Sequence, residues 1–314
     1  MSAQCQHDDC FPDTACALGH LDRTECEHWE QKETESPNPE TVREASDMPW
    51  NSYALGTSDL AILAGRGRSV VVGLIGPPDS GKTTLLTYLY MWLLAHGEVP
   101  GWTFAGSWTL GGWETLVQPS RWTGEPPPSF PPHTSSSGRI PGLLHLSLRS
   151  RAGLLRDVLF TDAPGEWFTQ WAKAPNDASA VGARWVIRHS DVLLLLADCD
   201  ALANEKTLPE SRRATRDIIE RVGAFAATIS MGFTWTKTDV SLPSSTRATV
   251  ERSRQQFAPA SEVWKTTIDD AATIARVFSR AIDRGEGSPT PATLSEPRLA
   301  HEPFLAFRGN HVGV

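Results

Sequence analysis

VVVGLIGPPDSGKTT, residues 70–84, is the stretch that decides the fold. Its first six residues form a continuous apolar run rich in β-branched side chains, the pattern of a strand buried on both faces of a parallel sheet. The run passes directly into Gly76-Pro77-Pro78-Asp79-Ser80-Gly81-Lys82-Thr83, a complete G-x-x-x-x-G-K-T, with Thr84 behind it. Glycines there let the backbone wrap closely around phosphate oxygens, with several N–H groups turned inward. Lys82 brings charge to the β and γ phosphates, and Thr83 offers its hydroxyl to Mg²⁺. The next segment, LLTYLYMWLLAH (85–96), is apolar and of helical length, so a helix N-terminus would add its own preference for an anion. Gly76, Asp79, Ser80, Gly81, Lys82, Thr83 and Thr84 are therefore the candidate phosphate-binding residues.

Outward from this point, apolar runs alternate with amphipathic ones. Leu143–Leu148 and Leu154–Thr161 read as two strands joined by a turn near Arg151–Gly153, and Asp191–Ala197, Ile229–Trp235 and Glu262–Thr266 as three more. Glu210–Ala224, Ser245–Gln256 and Asp270–Arg284 read as helices. Such alternation predicts an α/β P-loop NTPase fold, a mostly parallel doubly wound sheet with one antiparallel edge strand. Ser58 is placed to cap a short helix over Asp59–Ala64. Residues 97–138, rich in Gly, Pro, Ser and Thr with Trp102, Trp108, Trp113 and Trp122 scattered through, read as a long loop insertion.

A second motif, Asp162-Ala163-Pro164-Gly165, follows the strand ending at Thr161. An Asp at a strand end can hold Mg²⁺ through water, making Asp162 the second candidate metal anchor beside Thr83. Gly165 would let the next backbone N–H approach a γ-phosphate. The third motif is Thr236-Lys237-Thr238-Asp239, after the strand ending at Trp235. Asp239 can accept hydrogen bonds from both N1–H and N2–H of guanine, and the Lys237 stem can cover the base plane. Adenine has no such donor pair, so the three motifs together point to GTP or GDP.

Order, spacing and flanking strands resemble the translation-factor and Ras-related class of P-loop GTPases. More narrowly, FAGSWTLGGWE (104–114), TDAPGEWF (161–168), ADCDALA (197–203) and CALGHLDRTECEHW (16–29) resemble the bacterial double-GTPase family associated with conflict systems. That resemblance implies a GTP-dependent regulator acting with an unidentified protein partner encoded nearby. Two positions depart from the commonest GTPase pattern. Thr236 stands where Asn is usual, and Glu166 stands where many members carry Gln. A carboxylate at 166 could orient or deprotonate water, yet it would also repel a γ-phosphate. Lys82, Glu166 and Thr134 are the candidate catalytic residues, Thr134 because it precedes Leu143 where a switch threonine is expected. Two competing readings follow: a scaffold that holds GTP with little hydrolysis, and a P-loop ATPase or kinase with another base pocket.

The chain has 314 residues, with a net charge of −8 and no basic patch interleaved with aromatics, which disfavours nucleic acid as a partner. No apolar run reaches the roughly 18–20 residues of a membrane span, and the polar start lacks a secretory core. A cytoplasmic protein is expected. Cys5, Cys10, Cys16 and Cys26 crowd the first 26 residues with His20 and His28, while Cys199 stands alone beside an apolar run. In a reducing compartment such a cluster suggests one structural zinc, with the four cysteines as ligands and the two histidines as alternates. The expected division is a zinc module over 1–30, an acidic linker over 31–47, the nucleotide domain over 48–284 and a tail over 285–314.

Overall fold

The computed structural model describes residues 3–5, 29–31, 54–56, 59–60, 63, 68–121, 142–225 and 228–286. The chain divides into two units, residues 1–48 and 49–314. In the first, β1 (Ala3–Cys5) and β2 (Trp29–Gln31) pair antiparallel, with Cys5 opposite Trp29. Cys10, Cys16, His20, Cys26 and His28 lie outside the described residues, as do most of the linker and all of the tail beyond residue 286. Among the described residues no group of three or more His, Cys, Asp or Glu is placed to hold a metal.

The second unit is built on eight strands: β3 (Val70–Ile75), β4 (Glu98–Val99), β5 (Trp102–Gly106), β6 (Leu143–Ser150), β7 (Leu155–Thr161), β8 (Val192–Asp198), β9 (Ser230–Thr236) and β10 (Glu262–Lys265). Their spatial order is β10-β9-β8-β3-β7-β6-β5-β4. The five strands from β10 to β7 run parallel. β6 turns back against β7, β5 against β6 and β4 against β5. The expected antiparallel edge is thus present, and it is three strands wide rather than one.

Eight helices among the described residues cover the two faces. α1 (Lys82–His96), α2 (Leu110–Val117) and α8 (Ala271–Glu286) lie on one side; α3 (Gly165–Lys173), α4 (Val181–His189), α6 (Leu208–Gly223) and α7 (Ser244–Phe257) lie on the other, and the short α5 (Cys199–Ala203) follows β8. β8 explains why the middle reads as an uninterrupted apolar run. All seven of its residues are buried, since helices cover it from above and below. A third, small cluster joins Leu55 and Leu63 to Leu143 and Leu159, so the segment predicted as a capped helix does pack on the sheet through Leu63, while Ser58 is outside the described residues.

The loop reading of 97–138 is corrected over its first part. Residues 98–120 form β4, β5, α2 and a 3₁₀ turn at Gln118–Ser120. Aromatic burial overrides the glycine content. Trp113 is fully buried, stacked on Tyr90 at 5.3 Å and edge-on to Phe160 at 5.9 Å. Its indole N–H donates to the His145 carbonyl at 2.9 Å, while Trp102 donates to Asp283 at 2.9 Å. The His145 ring is also buried: its Nδ1 accepts from the Trp108 amide at 3.0 Å and its Nε2 lies 3.0 Å from Asp157. His145, Trp102 and Trp113 are thus part of the core.

On the other face, α3 and α4 meet closely. Gly182 lies so near Trp167 that a Cβ added to it would fall 2.2 Å from the indole ring. Tight contacts of this kind fix the two helices relative to each other.

Candidate functional site

Every parallel strand points its carboxyl end toward one edge of the sheet, where α/β folds form their clefts. A cleft of about 560 Å³ opens there, lined by the loop after β3, the loop after β7, the start of α5 and the loops after β9 and β10. Of the residues expected at the site, Asp79, Ser80, Gly81, Lys82, Thr83, Thr84, Gly165, Glu166, Thr236, Lys237 and Asp239 all line it. Gly76 underlies the loop, and Asp162 joins through Thr83. Thr134 lies outside the described residues.

The phosphate loop has the geometry its sequence demands. Gly81 has φ +89°, a conformation open to glycine and costly for other residues. A Cβ on Gly76 would fall 2.5 Å from the Ser80 hydroxyl and 3.1 Å from the Leu196 carbonyl. Lys82, at the start of α1, folds its ammonium back over the loop and donates to the Pro77 carbonyl at 2.8 Å, the Gly76 carbonyl at 3.2 Å and the Ser80 hydroxyl at 3.3 Å. Burial lowers its pKa to about 8, while the nearby carboxylates of Asp162, Glu166 and Asp79 pull the other way.

That depression has a measurable consequence. Phosphates arriving beside Lys82 restore its proton, so nucleotide binding near pH 9 is expected to take up close to one proton and binding at pH 7 much less. Calorimetric titration in two buffers of different ionisation enthalpy reads this directly, and equal heats in both at pH 9 would mean that Lys82 is already charged before the nucleotide arrives.

Thr83 donates its hydroxyl to Asp162 Oδ1 at 2.9 Å. Two hard oxygen donors, one anionic, meet at the mouth of the phosphate loop. Such a pair would suit Mg²⁺, a hard cation that takes oxygen ligands. Gly165 begins α3 against the phosphate loop: a Cβ on it would fall 2.3 Å from the Pro78 nitrogen and 2.4 Å from the Pro77 carbonyl carbon. No side chain fits there without moving backbone. Glu166, one residue on, is exposed into the cleft.

At the far end, Thr236 buries its hydroxyl between two carbonyls, Ser80 at 2.9 Å and Ala197 at 3.3 Å. It therefore ties the phosphate loop to β8 and β9. Lys237, at φ +53°, sends its ammonium to Asp198 Oδ2 at 2.7 Å. The other oxygen of Asp198 caps α5 through the amides of Asp200 and Ala201. Asp239 is exposed at the cleft wall, and its Oδ1 accepts from Thr267 Oγ1 at 3.1 Å.

The sequence reading missed Asp198 and the loop Thr266-Thr267-Ile268, which lines the same wall. Asp198 sits inside ADCDALA, a stretch already singled out, as an aspartate at a strand end before a short helix. Thr267 carried no signal, because its link to Asp239 spans 28 residues and exists only through the pairing of β9 with β10.

The sequence model of the Double-GTPase 2 family matches residues 70–283, which run from the first residue of β3 into the last turns of α8. The chain belongs to the Double-GTPase 2 family. Its three motifs fall on the cleft in the order in which a P-loop GTPase uses them. One solved structure that the comparison matches to this chain is a variant of Aquifex aeolicus Era bound to GDP·AlF₄⁻, at 14% identity and a TM-score of 0.38. That match covers 73% of this chain and 60% of the other, so the Double-GTPase 2 chain spans about three fifths of its length. No curated protein matches the sequence. Cys199 is buried at the start of α5, where burial raises its thiol pKa, as befits a structural cysteine. No helix among the described residues is long and apolar enough to cross a membrane.

Proposed function

We propose that this chain is a Mg²⁺-dependent GTP-binding switch that hydrolyses GTP, with Glu166 directing the attacking water. One observation carries the reading: Lys82, Thr83, Glu166, Lys237 and Asp239 line a single cleft, and Asp162 reaches it through its bond to Thr83. In this scheme Lys82 and the loop amides hold the β and γ phosphates. Thr83 and Asp162 place the Mg²⁺, which supplies charge neutralisation when bound. Gly165, seated on Pro77 and Pro78, is the contact that a γ-phosphate would disturb. Thr134 is the proposed closing threonine of the triphosphate state.

Replacing Glu166 by alanine tests it. Hydrolysis is expected to fall about 10²-fold or more, the range for loss of a positioned acid–base group. GTP affinity should hold or improve, because a negative charge leaves the γ-phosphate region. The exposed position of Glu166 also favours a second reading, a scaffold that signals by occupancy, and unchanged slow turnover in the variant would select it. Competition by ATP as effective as by GTP would instead favour an ATPase or kinase.

The family resemblance supports a cytoplasmic role in a bacterial conflict system through a protein partner. The amino-terminal cysteines support a docking module stabilised by one zinc. Metal analysis should then return about one zinc per chain, lost on Cys16→Ser; a metal-free preparation with the same melting temperature would end that proposal.

A further inference from the structure

Asp198 closes β8, a strand buried along its whole length, and its side chain is buried with it. Its Oδ1 accepts from the amides of Asp200 at 2.9 Å and Ala201 at 3.2 Å, capping α5. Two amides on one oxygen fix the direction of the other. Oδ2 meets the Lys237 ammonium at 2.7 Å, a charge-assisted contact between groups 39 residues apart.

Lys237 is tied at its other end as well. Its backbone stands at φ +53°, and two bonds close the turn around it. The Val240 amide donates to the Lys237 carbonyl at 3.0 Å, and the Thr238 amide to the Thr266 carbonyl at 3.1 Å. A lysine in open solvent keeps four carbons' worth of rotation. Here the root and the tip of the side chain are both held. The side chain is still 38% exposed, and it lines the cleft together with Asp239, so a ligand can reach it.

We infer that Asp198 is a positioning residue for base recognition, holding the Lys237 side chain in place as a wall of the cleft before the nucleotide arrives. The inference rests on the guanine-nucleotide reading above and adds to that site a residue outside its three motifs. An unheld lysine would have to be ordered at binding, and the lost rotamer freedom would weaken affinity. Asp198 acts through Lys237 and needs no contact of its own with the nucleotide.

Asp198→Asn removes the charge and keeps the cap, since asparagine serves at a helix N-cap as well as aspartate. The two α5 amides claim its oxygen, so its NH₂ group faces the ammonium, donor against donor. Asp198→Ser also keeps a capping oxygen and lacks the charge. Calorimetric titration with GDP and Mg²⁺ is expected to give affinity roughly three- to tenfold weaker in each, the cost of ordering one long side chain. Lys237→Met keeps a stem without a tip to anchor, and should lose a similar factor. The double variant Asp198→Asn/Lys237→Met should bind no more weakly than Lys237→Met alone.

Undiminished affinity in Asp198→Asn overturns the inference, and so does a loss confined to one of the two Asp198 variants. An equal loss from Asp198→Asn with and without the lysine also overturns it, because a carboxylate that only props up α5 would act whatever stands at 237. A wild type that takes ADP as tightly as GDP would fail the guanine reading separately, and the same cycle is then read on ADP.

Discussion

Replacing Asp239 by asparagine is expected to lower affinity for GDP and GTP by about 10²–10³-fold and to raise affinity for xanthosine diphosphate. A carboxylate accepting two N–H bonds makes charge-assisted contacts worth roughly 1.5–3 kcal/mol each, so losing both removes several kcal/mol. Asparagine presents an amide N–H₂ where guanine also presents donors, and donor then faces donor. Xanthine carries a carbonyl at that position, which the new amide can meet. The variant keeps an oxygen to accept from Thr267, whose hydroxyl lies 3.1 Å from Asp239 Oδ1, so the side chain should hold its place. Displacement of labelled GDP by unlabelled GDP, XDP and ADP gives the ranking. A variant that still prefers GDP would take base recognition away from Asp239.

Lys82→Ala is expected to act with opposite signs on two quantities. Nucleotide affinity should fall by about 10³-fold, because stripping the cation from a buried charge pair costs roughly 3–5 kcal/mol. The nucleotide-free protein should melt at the same temperature or several degrees higher. Lys82 is buried and its pKa is lowered to about 8 from 10.5, so keeping it charged costs the folded chain roughly 3 kcal/mol.

The sign follows from proton counts. Between about pH 8 and 10.5 the unfolded chain binds more protons than the folded one, so the wild type gains stability as pH rises through that window. The advantage of the alanine variant is therefore largest below pH 8 and fades toward pH 10.5. Scanning calorimetry without nucleotide at pH 7 and pH 10 checks this. A variant melting well below the wild type at pH 7 would mean that the carbonyls of Gly76 and Pro77 depend on the ammonium more than burial penalises it.

The central strands were legible because burial on both faces leaves a one-letter signature: VVVGLI and VLLLLAD contain almost nothing polar. The phosphate loop was legible for a different reason, since its backbone shape restricts residue choice position by position. The far edge of the sheet was not. β5 alternates buried and exposed residues over only five positions and ends at Gly106, and α2 begins Leu-Gly-Gly. Local propensity points to a loop, and Trp113 in the core decides otherwise. α3 and α4, nine residues each, were missed because neither extends far enough to establish a period. At the site, the motifs gave residues that line the cleft but not those that hold the motif side chains. Asp198 holds Lys237, Thr267 holds Asp239, and both arrive from other strands.

The flush packing of Gly182 on Trp167 has a mechanical meaning. α3 is held twice in its first turn: Gly165 bears on the backbone of Pro77 and Pro78, and two residues later the Trp167 indole fills the notch that Gly182 leaves open. Contacts only two residues apart leave little slack between them. A group that lifts Gly165 from the prolines is therefore expected to move the Trp167 indole as well. The displacement is handed to α4 as a push against its backbone, and α4 ends in Arg188 and His189 at the surface. The missing methyl group at position 182 makes the two helices move as meshed teeth rather than as sliding plates. The contacts thus join the phosphate loop to the outer face of the domain through two helices.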